Sequence, residues 1–330
     1  MDRRSWTLLL GLAAIWGASY MLIKIGLRDL SPGMIACLRV AFAAAVIAPI
    51  ALTQDAFRGL RGVVGVLVVV GAVQVAGPFL LIGVGEEEIS SALAGILVAS
   101  APIFTALLAI WVDHEERSQG MRLVGIAIGI GGVALLFGLD LSDSGNALLG
   151  GLAIVLASLG YAIGGFLVKH RLSDFDPLGM TVSVMTVSAV MLAPLALATA
   201  PPDFPDLGPL AAVGALGVFG TGLAFVIFYS LIARVGPAKS FLVAYLAPGF
   251  AVGYGAVLLD ETITAATVAG LLLILAGSWL AAEGRLPLRR RPPAVSDGRE
   301  VAAGRGPVAQ EGGGAVPVLS ELGSERVESR

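Results

Sequence analysis

Residues 100–104 read Ser-Ala-Pro-Ile-Phe, and residues 246–250 read Leu-Ala-Pro-Gly-Phe. Both stretches lie inside long apolar runs, so the same proline break recurs in the same setting. Outward from it, other landmarks repeat in order. Trp16 to Lys24 spans eight positions, as does Tyr161 to Lys169; Pro32 meets Pro177 and Pro49 meets Pro194. Further along, Glu116 meets Glu261, Gly125 meets Gly270 and Gly132 meets Gly277. One residue of slippage suffices for the whole comparison. Prolines, glycines and a span-ending acid do not fall into this order by chance, and a fixed period marks a repeated architecture.

The composition names the solvent in which that architecture sits. Hydrophobic residues make up 57% of the 330 and charged residues 14%, against about 25% charged in soluble domains. Mean hydropathy is +0.90. The 44 glycines suit helices packed through small residues in lipid. The single cysteine, Cys37, lies in an apolar run and excludes a disulfide framework.

A helix crossing a hydrocarbon core of about 30 Å needs about 20 mostly apolar residues. Uncharged runs give Ser5–Ile23, Leu30–Gln54 (interrupted only by Arg39), Gly62–Gly85, Ile89–Val112 and Leu123–Leu139. The second half gives Ser144–Val168, Pro177–Pro202, Leu207–Ala233, Ser240–Leu259 and Thr262–Ala282. Turn signals such as Ser31-Pro32-Gly33, Asp176-Pro177 and Pro201-Pro202 mark short connections. The first run follows Asp2-Arg3-Arg4 but is too long for a signal-peptide core, so it is expected to be a retained helix.

Lys and Arg in the loops collect on one side: Arg3, Arg4, Arg58, Arg61, Arg117, Arg122, Lys169, Arg171, Arg234, Lys239, Arg285 and Arg289–Arg291. The other side holds Arg28 and Lys24 and is otherwise acidic, with Glu86–Glu88, Asp140, Asp143, Asp203, Asp206, Asp260 and Glu261. Cationic loops stay in the cytoplasm, so both termini are expected there. Five spans per repeat is an odd number, so the second copy enters the membrane upside down. The expected fold is therefore an all-α integral membrane protein with ten transmembrane helices in two inverted five-helix repeats. Residues 1–140 form the first repeat, 141–285 the second and 286–330 a disordered cytoplasmic tail rich in Gly, Pro, Arg and Glu.

With these residues in place the sequence resembles the drug/metabolite transporter superfamily, specifically its EamA-type ten-span members. The resemblance rests on Ile15-Trp16-Gly17-Ala18-Ser19 with Lys24, Pro32 with Leu38-Arg39, and Ser91-Ala92-Leu93-Ala94 leading to Ala101-Pro102-Ile103-Phe104 and Glu116. In the second half it rests on Ala244-Tyr245-Leu246-Ala247-Pro248 and Glu261. It covers about residues 5–283 and implies export or uptake of metabolites, with spans 1–4 and 6–9 around a central cavity and spans 5 and 10 peripheral. The sequence departs from the pattern at the dense Glu86–Glu88 cluster and at Val184, which stands opposite Arg39 in the repeat.

Candidate pathway residues follow from polarity at depth. Arg39 lies about nine residues into span 2, roughly 13 Å below the boundary, where an ionised side chain needs a cavity or a partner. It suits either an anion anchor or a structural arginine bonded to carbonyls of a neighbouring helix. Trp16, Tyr20 and Lys24 form one stripe along span 1, although Lys24 is close enough to the interface to snorkel. Tyr161, Tyr229 and Tyr245 are mid-span phenols and Gln74 is the uncharged polar group of span 3; each suits substrate contact or helix–helix glue. Pro102 and Pro248 interrupt equivalent spans, and each frees a carbonyl that could face the cavity. Gly125-x3-Gly129 and Gly160-x3-Gly164 offer a face for a homodimer.

The expected function is a secondary transporter that exports small metabolites such as amino acids or related zwitterionic or anionic solutes by alternating access. The partners would be a small-molecule substrate and the lipid bilayer of the cell membrane, not nucleic acid, and no cofactor is implied. The alternatives are a channel-like facilitator and a membrane-embedded enzyme. None of the ten runs holds an Asp or Glu, and His114 and His170 fall in separate loops, which argues against an intramembrane protease or metalloenzyme. No Walker-type phosphate loop is present.

Overall fold

The computed structural model describes residues 1–112, 120–141 and 145–283. Among the described residues the regular structure is entirely helical. Nine helices among the described residues are long and apolar enough to cross a membrane, and a tenth is shorter. They are α1 (Arg3–Gly26), α2 (Pro32–Thr53), α3 (Leu60–Glu88), α4 (Ser91–Ile110), α5 (Gly120–Leu139), α6 (Gly145–Arg171), α7 (Pro177–Ala198), α8 (Leu207–Val235), α9 (Val243–Leu258) and α10 (Ala265–Ala282). The tail at 286–330 and the segment with His114 and Glu116 lie outside the described residues.

The repeat is visible in how helices begin. Ser31 caps α2 by accepting the Met34 N–H at 3.2 Å, with Pro32 as first helical residue. At the equivalent place Asp176 caps α7, accepting from Leu178 and Gly179 at 2.8 and 3.2 Å, with Pro177 next. A side-chain acceptor satisfies N–H groups that the helix cannot, and proline has none to lose. Pro49 and Pro194 then lie inside α2 and α7 at matching depth.

Packing repeats the same symmetry. α2 lies on α7, α5 on α10 and α4 on α9, so equivalent helices meet across the two halves. α1 packs against α8 and α9, just as α6 packs against α3 and α4. Each helix stands five places before its equivalent, an odd offset, which gives the halves opposite orientations. Leu149, Val190 and Leu272 are each more than 60% exposed, an apolar surface suited to lipid rather than water.

Close approach uses glycine. Gly129 of α5 and Gly277 of α10 touch backbone to backbone, and a Cβ on Gly125 would lie on the Ala281 amide. A Cβ on Gly160 would stand 2.7 Å from the Val73 carbonyl of α3, and one on Gly164 would collide with Gln74. Both motifs that offered a homodimer face are therefore filled inside the chain.

Three expectations need correction. The third span does not end at Gly85: α3 continues to Glu88, so Glu86 is helical and fully buried while Glu87 and Glu88 are exposed. His170 is not in a loop but in the last turn of α6, stacked on Phe166 with ring centroids 5.9 Å apart. The ninth span, expected over Ser240–Leu259, is a helix of 16 residues preceded by a separate short helix, Pro237–Ser240. At 1.5 Å per residue it is roughly 24 Å long.

Candidate functional site

Two helices depart from α geometry, and they do so at equivalent positions. Gly71–Ala76 in α3 and Leu216–Leu223 in α8 are π-helical, each within an otherwise long span. A π segment widens the turn and re-aims the side chains on it. In α8 it sets Thr221, whose hydroxyl donates to the Leu216 carbonyl at 3.1 Å and accepts from Arg39 Nε at 2.8 Å. Both side chains are buried.

Arg39 is thus tied from α2 to α8, and its guanidinium carbon lies 3.8 Å from the Phe79 ring centroid on α3. A cation over an aromatic face is attracted by the ring quadrupole. Tyr20 of α1, Tyr161 of α6 and Glu86 of α3 are in its surroundings. No carboxylate forms an ion pair with Arg39 among the described residues, and its Nη groups carry no hydrogen bond to them. A guanidinium with its fork uncommitted can receive a carboxylate in bidentate fashion.

The stripe on α1 divides into three roles. Lys24 does not snorkel: its Nζ donates to the carbonyls of Glu86 and, at 2.9 Å, Ile89, closing α1 onto the corner between α3 and α4. Half-buried Tyr20 lies over Gly95 of α4, where an added Cβ would stand 3.1 Å from its ring. Together with Tyr161 it joins an apolar cluster of Ile23, Ile82, Ala157, Val213 and Leu216 near the acidic loops. Trp16, nearer the basic end, has ring centroids 5.4 Å from Phe228 and 6.3 Å from Phe225. Tyr229, in the same aromatic group, hydrogen-bonds Thr181 of α7 at 2.6 Å.

The remaining candidates lie on α3, α4 and α9. Gln74 lies in the π segment of α3, against Gly164 of α6. Tyr245 is half-buried on α9. At Pro102, α4 breaks after Val98 and resumes at Ala101, but the freed carbonyls are taken up by serines. Ser278 of α10 donates to Ala99 O at 2.8 Å, Ser100 to Leu97 O at 2.6 Å, and Ser158 of α6 to Leu97 O at 3.2 Å. Pro248 is buried within a continuous α9, whose neighbouring Ala247 and Phe250 press on Gly17 of α1. Only the first of the two prolines breaks its helix.

Sequence reasoning missed Thr221, Phe79 and Glu86. Glu86 has no exposure, and neither of its carboxylate oxygens has a hydrogen-bond partner among the described residues; the same holds for the Ser91 hydroxyl. The glycines of 71–77 and 217–222, interrupting corresponding spans, are the signal that could have found the π segments.

The profile of the EamA-like transporter family matches residues 4–138 and again 148–282. An "Uncharacterized transporter" of Archaeoglobus fulgidus is 28% identical over 285 residues, covering 86% of this chain and all of its own. The Escherichia coli protein named "Uncharacterized inner membrane transporter YedA" is 28% identical over 78% of this chain and 83% of its own. Another Escherichia coli protein, named "Probable amino-acid metabolite efflux pump", is 25% identical over 85% of this chain and 95% of its own. A solved crystal structure with 18% identity superposes with a TM-score of 0.61, covering 85% of this chain and 97% of the other, and shows a shared fold.

Proposed function

The chain belongs to the EamA-like transporter family, and on that premise we propose that it exports amino acids or related zwitterionic or anionic metabolites by alternating access. The observation that carries the reading is Arg39: a buried cation, held by one neutral hydroxyl and one ring, with its fork uncommitted. Such a group is stable in lipid only where it faces polar company, and a solute carboxylate supplies the missing anion. Inverted repeats support alternating access, since each half can take the conformation of the other and the site lies between them. The efflux-pump name of a relative that aligns over nearly its full length points to the same solute class. The loop charges support an orientation with both termini in the cytoplasm of a cell whose plasma membrane holds the protein.

The test is expression in a host lacking comparable exporters, followed by untargeted metabolite profiling of the medium. Wild type should enrich one class of amino-acid-like solutes, and Arg39→Gln and Trp16→Ala, at matched membrane levels, should not. Arg39→Gln with unchanged apparent affinity for the same solute would remove Arg39 from the site.

A further inference from the structure

We infer that Glu86 is a proton-binding site that couples transport to the proton gradient. It accepts a proton when the acidic end of the helix bundle opens, and it is carried neutral into the closed bundle. The inference rests on the export reading above. Glu86 sits in the last turn of α3, has no exposed surface, and offers both oxygens to no donor among the described residues. An ionised carboxylate sealed without donors or an ion pair carries a heavy desolvation cost. A neutral acid does not, so closure around Glu86 favours the form that has taken up a proton.

Each element packed around Glu86 brings its own polar groups to it. α1 presents Lys24, whose ammonium is spent on the Glu86 and Ile89 carbonyls rather than on the carboxylate, and Tyr20. α2 presents Arg39, which is bound to Thr221. α6 presents Tyr161 and otherwise Gly150 and Ile154 against Gly85. α4 presents Ser91, whose hydroxyl is unpartnered, and the α9–α10 connection presents Glu261, occupied by the Ser91 and Ala92 amides. On α3 itself Glu87 and Glu88 are exposed. Two cations are near, then, and neither is bonded to the Glu86 carboxylate.

The closed arrangement is held by the Lys24 tie. When α1 leaves the α3–α4 corner, Glu86 meets water from the acidic side, and its carboxylate and a proton form the neutral acid before the corner closes again. Opening at the basic end then lets that proton leave on the other side. One proton enters for each solute exported.

The test uses the whole chain in proteoliposomes, with a mixture of the proteinogenic amino acids at equal concentration on both sides and the membrane potential clamped. In wild type, one pH unit, acid at the acidic-loop side, should drive the transported amino acids to about a tenfold excess on that side at one proton per solute. Glu86→Gln, close in shape, should still exchange labelled for unlabelled amino acid but build no excess. An excess retained in Glu86→Gln would overturn the assignment. So would a wild type that exchanges solute yet ignores the pH gradient, or one driven by sodium instead; in either case the carrier reading stands. Infrared spectroscopy decides independently of any solute: wild type near neutral pH should show a protonated carboxylic acid band that Glu86→Gln lacks, and identical spectra would overturn the inference. A wild type that moves no amino acid removes the solute class proposed above and leaves the infrared comparison to judge Glu86.

Discussion

Glu261 accepts the backbone N–H of Ser91 at 2.7 Å, and its second oxygen accepts that of Ala92 at 3.0 Å. A residue between α9 and α10 in the second half therefore finishes the first turn of α4 in the first half. Carboxylates at helix N-termini satisfy orphan donors and complement the helix dipole. Glu261→Ala should cost about 1–2 kcal/mol, seen as a Tm lower by a few degrees in detergent. Glu261→Gln, which retains one acceptor oxygen, should lose less.

Thr221→Val removes the acceptor of Arg39 Nε and leaves that N–H buried without a partner. Such a loss costs about 1–3 kcal/mol. If the guanidinium must be aimed to receive solute, half-saturation should rise roughly tenfold, the lower part of that range. Thr221→Ser should restore it. Transport assays on the solute found by metabolite profiling read both variants, and an unchanged Thr221→Val would separate the hydroxyl from solute binding.

The α5–α10 contact predicts a contrast between neighbouring glycines. Gly277→Leu should force the two helices apart and sharply lower the yield of folded protein, because its Cβ would fall on the Gly129 amide nitrogen. Gly131→Leu, two residues on from Gly129, meets nothing within 4 Å and should be tolerated. Fluorescence-detected size exclusion of tagged variants compares them directly.

Orientation is checked with single cysteines. Cys37→Ala removes the only native thiol. On that background, Asp203→Cys at an exposed acidic loop should react with an impermeant maleimide in intact cells. Arg61→Cys, exposed at the basic end, should react only after permeabilisation. The reverse pattern would invert the topology.

Much of the fold was legible in the sequence because lipid enforces simple rules. Apolar length fixed the number of spans, and Ser31-Pro32 and Asp176-Pro177, read as turn signals, proved to be cap and first helical residue. The site was harder. Ending a span at its first charge put Glu86 in a loop, yet a helix end can bury one acid of three when Gly85 lets α6 come close. The π segments depend on where long spans must bend against neighbours, a tertiary demand that hydropathy does not encode. Lys24 looked free to snorkel because its acceptors are carbonyls more than sixty residues away.

The contact between Gly129 and Gly277 also sets a clock. These residues meet closely in the finished protein, but the ribosome makes one long before the other. At about 5–20 residues per second, α5 leaves the translation machinery roughly 7–30 s before its partner face exists. Throughout that interval a glycine-lined groove stays open to lipid, to the insertion apparatus or to α5 of another copy. The arrival of α10 ends this exposure, so assembly quality should depend on how promptly the second half follows the first.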